Sequence, residues 1–125
     1  TFASAKEELM TVCERYEKDA NGKTVRIVET LVGEKDEYRT IAKYDNDNHQ
    51  LERTSYTQAG EINWQFLYTY NAQGKMLTTE RRTKGGKLDY KSAYELDDKG
   101  LPLTELRTDG DGAIMSKLRY TYSFY

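Results

Sequence analysis

Residues 68–93 read YTYNAQGKMLTTERRTKGGKLDYKSA, and the pattern of this stretch recurs on both sides of it at a spacing of 26 residues. From Tyr16 onward the chain divides into ungapped units at 16–41, 42–67, 68–93 and 94–119. A truncated fifth start follows at Tyr120. Because self-similarity at a fixed period is the signature of a repeat architecture, the fold depends on what one unit forms.

Each unit carries two turn signals. Position 7 of the unit holds residue types that tolerate a positive φ, namely Gly22, Asn48, Gly74 and Gly100. A second glycine zone lies around positions 18 and 19, with Gly33, Gly60, Gly85, Gly86 and Gly112. The segments between the turns are about eight or nine residues long, which is strand length and short for helices.

The segment that enters the position-7 turn alternates between apolar and polar residues. Its apolar residues share one face: Ile62, Trp64, Phe66, Tyr68 and Tyr70. The residues between them share the other: Asn63, Gln65, Leu67 and Thr69. This is the pattern of a half-buried antiparallel strand. The return segment, such as TTERRT at 78–83, is polar on both faces, so we expect it to contribute little to burial.

We therefore predict an all-β fold, an antiparallel meander of about nine strands built from four 26-residue β-hairpin repeats. The domain spans 1–125, with a first strand at 9–18 and a terminal strand at 113–125. Residues 1–8 are expected to be flexible, with room for a short amphipathic turn at 2–9. An open curved sheet is the expected form, and the pattern leaves a sandwich or a closed barrel as alternatives. Pro102 fits this scheme because it begins a return strand, where a missing donor costs little.

Composition excludes several classes of function. The formal charge of −2 comes from interspersed acidic and basic residues, so there is no basic stripe and nucleic acid is not an expected partner. Cys13 is the only cysteine, which excludes an intramolecular disulfide and a cysteine zinc site. No apolar run approaches the roughly 18 to 20 residues of a transmembrane segment. The start TFASAKEE is typical of a chain from which a signal peptide was removed, so we expect an extracytoplasmic location, periplasmic or secreted.

The residue types that carry catalysis are sparse. His49 is the only histidine and lies in the turn DNDNHQ, where a polar loop role is the simpler interpretation. Cys13 alternates with its neighbours in a strand, which favours a packed or half-exposed structural thiol over a reactive one. Glu52, Glu80 and Glu105 could supply a carboxylate pair for glycoside hydrolysis, but a sheet this acidic offers such pairs by chance. We expect no catalytic residues and no cofactor.

Two acidic turns, DNDN at 45–48 and DGDG at 109–112, invite a comparison with calcium loops. An EF-hand that began at Asp45 would need Gly and Glu where Gln50 and Tyr56 stand. Aspartate and asparagine are expected in turns because they hydrogen-bond their own backbone. We therefore expect no metal site.

A row of aromatic residues is the feature with functional content. Its members, which should share one face of adjacent hairpins, are Trp64, Tyr68, Tyr70, Tyr90, Tyr94, Tyr120 and Tyr122. Amphipathic rings on a sheet make a surface for a sugar or a partner protein. The competing interpretation is that the row is the core itself, with hydroxyls that reach its rim.

The phrases YTYNAQGKMLTTE and YELDDKGLPLTE resemble the Tyr-Asp repeats of bacterial surface and toxin-shell proteins. Together with GEINWQFLYTY they are also similar to a family of small secreted proteins of unknown function from Bacteroides and related gut bacteria. The resemblance covers about residues 16 to 125, although the Tyr-Asp dipeptide itself occurs only at Tyr44-Asp45. It implies an extracytoplasmic β-repeat domain and transfers no catalytic residues.

These observations favour a non-enzymatic, extracytoplasmic binding module whose aromatic sheet face holds a protein or a glycan, and which could form a homodimer. The alternative is a structural repeat or a self-assembly element of the cell envelope, whose exposed edge strands pair with copies of itself.

Overall fold

The computed structural model describes residues 10–33 and 38–123, which form one antiparallel sheet of nine strands in sequence order. The strands are β1 (Met10–Lys18), β2 (Thr24–Val32), β3 (Tyr38–Tyr44), β4 (Gln50–Tyr56), β5 (Ile62–Tyr70), β6 (Met76–Thr83), β7 (Lys87–Leu96), β8 (Pro102–Asp109) and β9 (Ile114–Arg119). A short 3-10 turn, Lys84–Gly86, joins β6 to β7. These two described ranges contain no α-helix.

The predicted all-β meander of nine strands is confirmed, and the sheet stays open and curved without closing into a barrel. Pro102 begins β8, as expected. Strand β9 is shorter than predicted, because it ends at Arg119. The segment at 1–8 and the turn at 2–9 lie outside the described residues, as do residues 124–125.

The turn at positions 4 to 7 has the same construction in every unit. In each unit, one side-chain oxygen of the residue at position 4 accepts hydrogen bonds from the backbone N–H groups of the second and fourth residues after it. The residues at position 4 are Asp19, Asp45, Asn71 and Asp97. Position 7 closes the turn with φ between 66° and 82°. Asn48 is the only non-glycine residue with a positive φ in the described ranges, so the sequence pattern identified these turns correctly.

The column of leucines at position 10 marks a β-bulge. Tyr44 pairs with Gln50 and Lys43 pairs with Glu52, so Leu51 has no partner residue on β3. In the third and fourth units, Leu77 and Leu103 likewise have no partner residue on the preceding strand. A bulge sets two residues against one and increases the local twist of the strands. In the first unit the corresponding Val25 pairs regularly with Glu17.

The register divides the sheet into two different faces. The face we call the aromatic face carries the row Arg53, Phe66, Arg81 and Tyr90, in which each residue is the direct cross-strand neighbour of the next. The opposite side, the ion-pair face, carries charged pairs 3.0 to 3.8 Å apart: Arg15 with Glu29, Arg39 with Glu29, Lys43 with Glu52, and Arg82 with Glu80.

Burial within this single layer is mostly polar. Ile27 is the only buried hydrophobic residue of the described ranges, whereas Thr54, Ser55, Ser92 and Glu105 are also buried. The prediction that return strands contribute little to burial is therefore wrong for β2, β4 and β8. Long side chains lean over short ones on the same face, as Gln65 does when it donates to the Thr54 hydroxyl at 3.0 Å.

The chain exposes 9468 Å² of accessible surface. A compact monomer of 14.5 kDa exposes about 6,900 Å². The surplus, about 2,600 Å², follows from a sheet that has no second layer among the described residues.

A candidate binding face

The strand register places four of the seven predicted aromatic residues on one side of the sheet. Tyr68 on β5 lies opposite Thr79, and Thr79 lies opposite Ser92 on β7. Because side chains alternate along a strand, Trp64 shares the face of Tyr68, while Tyr90 and Tyr94 share that of Ser92. These four candidates therefore come together over strands β5 to β7.

The hydroxyl groups of the other three candidates bond within the domain. Tyr70 donates to the carbonyl oxygen of Gln50 at 2.6 Å, and Tyr122 donates to that of Pro102 at the same distance. Both bonds join position 3 of one unit to position 9 of the unit before. Tyr120 donates to the Glu105 carboxylate at 2.9 Å, a bond that raises the pKa of Tyr120. These hydrogen bonds link neighbouring units. They explain why tyrosine occupies these positions, since leucine would be buried equally but could not donate a hydrogen bond.

Phe66, which sequence reasoning did not include in the site, joins the central aromatic residues. Its ring meets that of Trp64 edge to face at 5.6 Å and lies nearly parallel to that of Tyr68 at 6.4 Å. Burial raises the pKa of Tyr68 and that of Tyr94. Trp64, Phe66 and Tyr68 are only half-buried, so this cluster remains open to a partner.

Arginines stand over several of these rings, and sequence reasoning missed them because it considered only the aromatic residues of this face. The guanidinium of Arg107 lies 4.3 Å from the Tyr90 ring centre, and that of Arg53 lies 5.9 Å from the Trp64 ring. On β2 and β3, Arg26 covers Tyr44 at 4.4 Å. The recurrence of Arg26, Arg53, Arg81 and Arg107 at intervals close to one unit was the available signal.

Beside the sheet, Asp45, Asp47 and His49 bring their ligand atoms within 4.8 Å of one another. Asp45 is already engaged, because one carboxylate oxygen caps the turn and the other contacts His49 Nδ1 at 3.1 Å. Burial acts to raise the pKa of Asp45, but hydrogen bonds from His49 and Asp47 outweigh it and hold the pKa below its usual value. The same turn forms with Asn71, so turn geometry accounts for the cluster.

The His49 ring packs between units. It lies 4.9 Å from the Tyr70 ring, and Gly74 of the next unit leaves it room. A groove of about 470 Å³ opens beside it and is also lined by Lys23, Leu51 and Gln73. His49 is thus a turn residue, as the sequence indicated, with a contact role that spacing alone did not show.

The three glutamates considered for glycoside hydrolysis do not share one face of the sheet. Glu52 and Glu80 lie on the ion-pair face, bound to Lys43 and Arg82. Glu105 lies on the aromatic face, where it accepts from Ser92 at 3.2 Å and from Tyr120. In any pair that included Glu105, the two carboxylates would lie on opposite faces of the sheet.

The structure also locates the two remaining candidates from the sequence, Cys13 and the DGDG turn. Cys13 is exposed on β1, so the predicted packed or half-exposed thiol is more accessible than expected. In the DGDG turn one Asp109 oxygen accepts from the backbone of Asp111 and Ala113, which is the same capping role that Asp45 has.

Comparison with protein-family models, with curated proteins and with solved structures gives no match for this chain. Within the part of the chain that the structure describes, no helix has the length and apolar character needed to cross a membrane. Function is therefore argued from the aromatic face itself.

Proposed function

We propose that this chain is a non-enzymatic binding module that holds a protein partner on its aromatic face. The observation that carries the proposal is the cross-strand row Arg53, Phe66, Arg81 and Tyr90, flanked by Trp64. Trp, Tyr and Arg are the residues most enriched among those that dominate protein–protein binding energy. Here they occupy the central strands of a sheet that has no covering layer among the described residues.

A protein fits this face better than a glycan. Sugars stack on exposed ring faces, but guanidinium groups already stand over the rings of Trp64 and Tyr90. The arginine donors that share this face with the rings suit peptide carbonyls and acidic side chains.

The resemblance to secreted repeat proteins is what supports an extracytoplasmic location. A second candidate, self-assembly through sheet edges, is favoured by β1 and β9, whose residues are all exposed. Sedimentation velocity over a wide concentration range separates the two functions. A chain that stays monomeric at every concentration counts against assembly.

The binding proposal is tested with a phage-displayed library of random 12-residue peptides and, in parallel, a glycan array. Peptides selected on the wild-type chain should bind Trp64→Ala and Tyr68→Ala about tenfold or more weakly, because such anchors carry most of the binding energy. Leu67→Ala is the matched control, since Leu67 lies on β5 but on the ion-pair face. It should leave peptide binding unchanged.

Far-ultraviolet circular dichroism checks that each variant keeps its β structure. If Trp64→Ala unfolds, Trp64→Phe replaces it, because it keeps a ring and reduces the contact area. The proposal is refuted if the selected peptides bind all variants equally, if no peptide binds, or if only glycans are retained.

A further inference from the structure

Arg53 occupies the middle of the aromatic face. On β4 it lies opposite Ala42 of β3 on one side and Phe66 of β5 on the other. Its side chain is exposed and lies beside the ring of Trp64, and its charge acts on Tyr68. Ala42 stands where three of the other units and the truncated fifth have tyrosine, so one side of the guanidinium is left uncovered.

The other arginines of this face have acidic partners. Arg81 lies 2.8 Å from Asp89, Arg107 lies 3.4 Å from Glu105, and Arg26 lies 3.8 Å from Glu14. For Arg53, no carboxylate in 10–33 or 38–123 comes within ion-pair distance. Arg53 is thus a cation of the aromatic face that the described chain does not neutralise, and it is set among aromatic rings.

This arrangement matches a carboxylate. A guanidinium binds a carboxylate through two parallel hydrogen bonds, and neighbouring rings that exclude water strengthen that interaction. We infer that the protein partner places an Asp or Glu side chain on Arg53, over Ala42 and beside Trp64. This inference rests on the proposed function and adds the chemistry of the partner to it.

Among the described residues, the aromatic face of a second copy is a poor source of that carboxylate. The register places Glu14, Glu105 and Asp109 on the aromatic face, and each already accepts hydrogen bonds within its own chain. A face-to-face homodimer would have to break these bonds to neutralise Arg53. A different protein with a free acidic side chain has no such cost.

The test uses an array of 12-residue peptides, synthesised as matched triplets that differ only in Glu, Gln or Lys at one central position. Among peptides whose binding depends on Trp64, we expect the Glu member to bind about fivefold more tightly than its Gln partner. The preference should disappear in Arg53→Gln, return in part in Arg53→Lys, and shrink as salt is raised.

Arg39→Gln is the matched control. Arg39 also stacks on a ring, that of Tyr56 at 4.5 Å, but on the ion-pair face, so this change removes one charge elsewhere and should keep the Glu preference. If Glu and Gln peptides bind alike while binding still depends on Trp64, the inference fails and the proposed function stands. If no peptide depends on Trp64, both fail. Arg53-dependent binding of polygalacturonate without peptide binding would instead identify an acidic glycan and overturn the inference.

Discussion

The hydroxyl of Tyr70 ties the third unit to the second, and Tyr70→Phe removes that bond while leaving the ring against His49. The hydroxyl donates to the Gln50 carbonyl at 2.6 Å in a half-buried setting. A hydrogen bond of this kind contributes about 1 kcal/mol net, since water can partly replace the lost donor. For a domain of this size we expect the melting temperature to fall by about 3 to 4 °C.

Urea unfolding measures this effect, with the fluorescence of Trp64, the single tryptophan, as the probe. Tyr90→Phe is the control, because the Tyr90 hydroxyl has no hydrogen-bond partner among the described residues. The reverse change, Leu96→Tyr, places a hydroxyl at the corresponding position of the fourth unit and should raise the unfolding midpoint. If Tyr70→Phe and Tyr90→Phe unfold at the same urea concentration, the hydroxyl bond does not stabilise the sheet.

Two further predictions concern the turns. Gly74→Ala should destabilise the chain by about 1 kcal/mol more than Gly22→Ala, because both positions have a positive φ but only at Gly74 would a Cβ meet His49, at 2.8 Å. Adding His49→Ala should remove that difference in a double-mutant cycle, and a difference that persists would refute the clash. The folded pKa of Asp45 is lowered, so its contribution to stability is present above pH about 4 and is lost as the pH falls below that value. Asp45→Asn keeps the turn bonds, as Asn71 does, and its melting temperature should fall less between pH 5 and pH 2; superimposable profiles would contradict this.

The turns and strands were predictable because their chemistry is local. An Asp or Asn at position 4 and a glycine at position 7 specify a turn within five residues, whatever the rest of the chain does. The alternation from Ile62 to Tyr70 likewise specifies a strand with two different faces. The turn signal, with Asn48 in place of glycine in the second unit, recurs in all four units, which removed most of the ambiguity of a single match.

What the sequence did not reveal depends on cross-strand register. The bulge at Leu51 cannot be read from an ungapped alignment, because the leucine column looks like one more buried face. The burial of Thr54 depends on which side chains lean over it from β5. The bond from Tyr70 to Gln50 spans 20 residues and becomes visible only when the strands are paired.

In the candidate site, too, the features set by local alternation were predictable, and the features set by cross-strand register were not. Alternation placed Trp64 and Tyr68 on one face, but it could not show that Arg53 would stand beside them, since arginine alone is read as a solvated residue. Only the pairing of Arg53 with Phe66 brings the cation into the aromatic row.

Each strand of this sheet is hydrogen-bonded only to its neighbours in sequence. The stability of such an array is close to a sum of hairpin terms and terms between adjacent hairpins. Inserting one more 26-residue unit after Ala93 would therefore add two strands and widen the sheet by about 10 Å without rerouting the chain. The meander allows a lineage to change the width of the aromatic face in fixed steps, by duplicating or losing whole units.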